Sequence, residues 1–149
     1  MSEAKTSPLI VEPTMKQFRR FGTVGILGFC IDGGILLFLV QFGSNPNVAR
    51  LVSFAIAVSI TWYLNRAWTF VTPRYDSNRG KQYLVYLGVQ IAGALTNYIC
   101  YAAVLFFVRV TPATVLSALT VGAAFGFIVN FVGARTLVFP KISYPGGTS

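Results

Sequence analysis

The 149 residues leave room for one domain. Of these 54% are apolar and 11% charged, against about 25% charged in a water-soluble domain, so a soluble globular fold is excluded. A net charge of +8 would suit nucleic acid, but ten of the twelve basic residues cluster in the N-terminal arm, the middle loop and the ends of two apolar runs. That is an orientation signal rather than a phosphate-binding face, and no nucleic-acid partner is expected. With no histidine, four acids and two cysteines at different depths of apolar runs (Cys30, Cys100), neither a metal centre, a cofactor nor a histidine-based triad is expected.

In chain order, residues 1–17 are polar, carry Pro8 and Pro13, and read as a flexible arm. The first apolar run, residues 18–40, opens on the basic cluster Lys16, Arg19 and Arg20 and has no small-residue cleavage region after it, so it reads as an uncleaved span. Gly43, Asn45 and Pro46 make a short turn, and a second span covers about 48–70. A polar loop with Pro73, Asp76 and Gly80 leads to a third span at about 82–108. After a very short turn the fourth occupies 113–139, and 140–149 form a flexible tail. Each run exceeds the roughly 18 residues needed to cross hydrocarbon as a helix. The expected fold is therefore all-α: a polytopic membrane protein with one four-helix domain, residues 18–139.

Basic residues near span ends fix the expected orientation. Arg66 and Arg135 join the arm and loop cations on one side, whereas Arg50 and Arg109 stand alone on the other. Both termini should therefore be cytoplasmic. Aromatic residues such as Phe18, Trp68 and Phe139 fall at span ends, as an interfacial belt requires. The chain also resembles itself. A shift of 69 places Arg135 on Arg66, Phe131 on Trp62 and Phe139 on Phe70; a shift of 65 places Phe18 on Tyr83, Phe21 on Tyr86, Gly28 on Gly93 and Asp32 on Asn97. Two tandem hairpins repeated without inversion are expected, a plan in which transporters place their site between the repeats.

Asp32 is the one acid inside a span. Counted from Phe18 it lies about 20 Å into the membrane, and a buried acid there costs at least ~2.5 kcal/mol on insertion scales. Gly25, Gly28 and Asp32 share a helix face, as do Gln90, Gly93 and Asn97. Asp32 and Asn97 are read either as a hydrogen-bonded pair gluing the helices or as the lining of a polar path, with Gln90, Asn65 and Asn130 as further members. Arg66 and Arg135 carry the planar forks that suit phosphate oxygens, with Arg19 and Arg20 as neighbours. Arg50 and Arg109 would form an anion contact at the outer side. Trp62 and Trp68 are belt residues or a sugar platform. Gly122 and Gly126, and Ala55 and Ser59, have helix-contact spacing. No nucleophile–base or carboxylate pair is present, so an enzyme is not expected.

Phe18-Arg-Arg-Phe-Gly-Thr-Val-Gly25, a mid-span Asp32, and Asn65-Arg-Ala-Trp-Thr-Phe70 on four spans together resemble the GtrA-like membrane proteins of bacterial cell-surface polysaccharide synthesis. The second hairpin departs from that pattern: Ala134-Arg-Thr-Leu-Val-Phe139 lacks the asparagine and the tryptophan. The resemblance implies a bacterial inner-membrane protein that flips a polyprenyl-phosphate-linked sugar. Alternatively it serves as a non-transporting accessory subunit of a membrane glycosyltransferase. Four helices leave little room for a sugar, so a parallel homodimer amid membrane lipids is expected. A small multidrug-type exporter built on Asp32 is a weaker alternative, because paired arginines at each face favour anions.

Overall fold

A computed structural model describes residues 14–71 and 78–140. The expected arm as far as residue 13, with Lys5, loop residues 72–77, with Arg74 and Asp76, and the tail from Lys141 lie outside the described residues. Four helices long and apolar enough to cross a membrane make up the fold: α1 (Thr14–Gln41), α2 (Pro46–Leu64), α3 (Arg79–Phe107) and α4 (Pro112–Gly133). α2 and α4 each continue into a five-residue π-helical turn, Asn65–Thr69 and Ala134–Val138. α1 thus begins ahead of the boundary expected at Phe18. With its turn, even the shortest span has 24 residues, about 36 Å at the α-helical rise, which exceeds the roughly 30 Å hydrocarbon thickness.

Local chemistry sets the ends of these helices. α1 stops at Gly43, whose φ of 84° only glycine adopts without cost. The Gly43 and Ser44 amides donate back to Val40 and Leu39, each at 3.0 Å, closing a Schellman motif. α2 then starts with Asn45 accepting from the Asn47 amide at 2.9 Å and Pro46 in its first turn. α4 starts with a reciprocal box: Thr111 accepts from the Thr114 amide and Thr114 from the Thr111 amide.

Each hairpin is zipped by glycines that admit a neighbour where a Cβ could not fit. In the first, Gly28 faces Thr61; in the second, Gly93 faces Asn130, while Gly122 and Gly126 close on Asn97. Without a hydrophobic drive between helices in lipid, such close approach supplies the dispersion contacts that hold them. The spacing of Gly122 and Gly126 is thus a packing device, as expected. Ala55 is exposed and Ser59, though exposed, meets the Tyr83 hydroxyl of α3 at 3.0 Å, while the small residues that α2 buries are Ala49, Ser53 and Ala57.

The hairpins meet at the end carrying the π-turns. Phe21, Val58, Phe70, Tyr86, Val89, Phe131 and Phe139 form the buried core there. Phe70 and Phe139, each the residue after a π-turn, stack with ring centroids 5.0 Å apart and planes 16° from parallel. α1 meets α4 through an edge-on contact of Phe18 with Phe131 (5.2 Å, 83°), and α3 meets α2 through Tyr83 with Trp62 (5.5 Å, 83°). Among the described residues the core cluster lies wholly on this half of the bundle.

Candidate functional site

The π-turns aim the two arginines. In each, the amide of the following phenylalanine reaches back five residues, Phe70 to Asn65 and Phe139 to Ala134, both at 2.8 Å. One residue too many in the last turn rotates the side chains and ends the helix, a distortion often found at functional sites. The side chain of Arg66 donates to the Gln82 amide oxygen and lies over the Trp62 ring, 5.9 Å from its centroid. Gln82 in turn donates to the Val138 carbonyl at 3.0 Å, so a single amide ties the first π-turn to the second. Arg20 donates to the Trp68 carbonyl at 2.9 Å and covers its ring at 5.4 Å. Arg135 is half-buried and, among the described residues, makes no hydrogen bond or ion pair. Arg19 is exposed and stands apart from this group.

A polar node sits deeper, between the hairpins. The Tyr86 hydroxyl is fully buried and accepts from the Asn65 amide at 2.9 Å. That bond joins the first π-turn to α3 and so ties one hairpin to the other. Asn65 is 1% exposed and its amide oxygen has no partner, and the hydroxyl of fully buried Thr69 and the Trp62 indole nitrogen are likewise unpaired. Trp62 packs edge-on against Tyr83, and the Trp68 ring lies under Arg20.

Asp32 does not meet Asn97. It forms an ion pair with Arg50 and accepts from the Ser53 hydroxyl at 2.7 Å, both from α2 of its own hairpin. Arg50 reaches inward along α2 instead of outward to the headgroups, which leaves it 54% exposed while Asp32 is 16% exposed. A guanidinium alongside removes most of the cost of an acid in lipid. Asn97 is seated on Gly122 and Gly126, and Asn130 over Gly93 has its amide oxygen buried without a partner. Arg109 is exposed at the turn before α4, where its carbonyl accepts from Thr114. Arg50 and Arg109 thus lie at the end away from the π-turns, but Arg50 is already engaged. Asp32 is also the one acid among the described residues, so the described part of the π-turn end carries only cations.

Gln17 and Gln82 were not among the expected site residues, although the 65-residue shift that matches Phe18 with Tyr83 matches them too. Tyr86, which the same shift matches with Phe21, supplies the buried hydroxyl of the node.

A family model described as the GtrA/DPMS transmembrane domain matches residues 20–139, from Arg20 through both π-turns. An uncharacterized membrane protein of Bacillus subtilis (strain 168), YngA, is 26% identical over 125 residues, covering 84% of this chain and 80% of its own length.

Proposed function

Because the chain belongs to the GtrA/DPMS transmembrane-domain family, we propose that it carries a polyprenyl-phosphate-linked sugar across the bacterial inner membrane for surface glycosylation. The observation that carries this reading is the pair of arginine-bearing π-turns, Asn65–Thr69 and Ala134–Val138, brought to one end of the bundle. That end faces the cytoplasm in this reading, because the basic residues gather there. Arg66, Arg135 and Arg20 draw the lipid phosphate to it. The tail stays in the bilayer, and the sugar follows the polar groups Asn65, Gln90 and Asn130 toward Asp32, with Arg50 and Arg109 at the exit. Two copies side by side in the same sense provide the width that four helices lack. No step here supplies energy, so movement runs down the lipid's own gradient.

A second reading, an accessory subunit that presents the lipid to a glycosyltransferase, is favoured by one observation. Asp32 is engaged by Arg50 and Ser53, and Asn97 is seated within the other hairpin, so the two do not line one passage. Proteoliposomes separate the readings. Purified protein should move a fluorescent short-chain isoprenyl phosphoryl glucose between leaflets, and the double variant Arg66→Ala/Arg135→Ala should reduce that rate at least about ten-fold, the scale of a lost charge-assisted contact. Wild-type protein that folds and inserts yet moves no lipid would leave the accessory role.

A further inference from the structure

The two seams joining the hairpins are built alike and finished differently. Tyr83 on Trp62 and Phe18 on Phe131 make the same edge-on contact, at 83° in both. Just past the first contact, Gln82 and Arg66 are bonded to each other. At the matching places past the second stand Gln17, directly before Phe18, and Arg135, one turn after Phe131. α1 and α4 run antiparallel here, so both residues lie on the same side of the Phe18–Phe131 contact. Yet Gln17, only 8% exposed, has an amide oxygen with no partner, and Arg135 makes no hydrogen bond or ion pair among the described residues. Thr69 is the counterpart of Val138, whose carbonyl takes the Gln82 amide. It is fully buried with its hydroxyl unpaired. Buried polar atoms are ordinarily satisfied, so an arginine and an amide that bond each other in one seam and stay open in the other, together with the unpaired Thr69 hydroxyl, mark a place built for something else.

We infer that the α1–α4 seam seats the ligand's head group: Arg135 takes an anionic phosphate oxygen, and Gln17 and Thr69 take a hydroxyl close to it. The class of ligand is a phosphate ester with a neighbouring hydroxyl, as in a glycosyl phosphate, and its lipid nature alone rests on the function proposed above. Arg66 then acts chiefly through its latch to Gln82, as a positioning residue that keeps the π-turns together. The two arginines have different tasks despite their matching positions.

Binding measured by native mass spectrometry on protein in detergent micelles tests this without requiring transport. The probes are farnesyl phosphate, farnesyl phosphoryl glucose, farnesol and inorganic phosphate. Arg135→Ala should weaken both phosphorylated lipids at least about ten-fold. Arg66→Ala should weaken them by a smaller factor while lowering the thermal midpoint. Gln17→Leu, close in volume, should weaken the glucosylated lipid several-fold and spare farnesyl phosphate, and it carries the test should the arginine variants fail to fold. Equal losses in Arg66→Ala and Arg135→Ala, or a Gln17→Leu variant that does not distinguish the lipids, would overturn the assignment. Inorganic phosphate binding as tightly as the lipids would overturn the lipid source. Intact binding with no movement in proteoliposomes would instead count against translocation and leave the seat in place.

Discussion

The first and second hairpins share a plan and spend their interior polarity differently. In the first, the polar interior of α1 and α2 is a charged pair, Asp32 with Arg50, supported by Ser53. In the second, the matching stretch is neutral: Asn97 is pressed onto Gly122 and Gly126, and Asn130 onto Gly93. Backbone meets backbone in the second hairpin, as where Gly126 faces the Gly93 carbonyl, whereas in the first the close approach at Gly28 is to a threonine side chain. A charged contact holds two helices through long, adjustable side chains. A glycine contact holds them through rigid main chain. The second hairpin should therefore be the stiffer half and the first the more adjustable one.

Overpacking gives the largest expected effect on that contrast. Gly126→Ala drives a methyl toward the Gly93 carbonyl and the Asn97 backbone, neither of which can turn aside, and should cost ~2–3 kcal/mol. Gly28→Ala meets only Thr61 and should cost ~1 kcal/mol. Unfolding in mixed micelles compares the two, and equal costs would erase the distinction between halves. The node at Tyr86 comes next. Its counterpart in the first hairpin is Phe21, so Tyr86→Phe makes the halves alike and strands the Asn65 amide now bonded to the hydroxyl. We expect a loss of ~1–2 kcal/mol in the same assay, and a neutral result would demote the node to packing. Smallest is the coupling between Asp32 and Arg50. Because Arg50 is 54% exposed, a double-mutant cycle with Asp32→Ala and Arg50→Ala should return only ~1 kcal/mol. A null coupling would mean the pair leaves the first hairpin no more constrained than its lipid-facing surface.

The spans were legible because lipid imposes length and apolarity on every residue of a crossing helix, and blocks such as 83–108 and 111–134 announce themselves. The partner of Asp32 was not. Asp32 lies more than two helical turns in from the end of α1 and Arg50 about one turn in from the start of α2, so simple levels along the helices do not match them. Only the length of the arginine side chain, bent inward, closes the gap, and the same length would equally have let it reach the headgroups. The π-turns carry no residue code of their own: Asn65-Arg-Ala-Trp-Thr69 and Ala134-Arg-Thr-Leu-Val138 share little beyond the arginine. What both sequences do share is the phenylalanine that follows, and burying that ring in the common core is what the extra residue in the last turn accomplishes.

The stack of Phe70 on Phe139 has one more consequence. A residue that touches its own counterpart makes a self-complementary contact, the kind found on the dyad of a two-fold dimer. Here both partners belong to one polypeptide, so the covalent connection turns what would be a concentration-dependent encounter into an internal one with a fixed effective molarity. That tether also lets the two members of the pair diverge, a freedom identical subunits on a dyad never have.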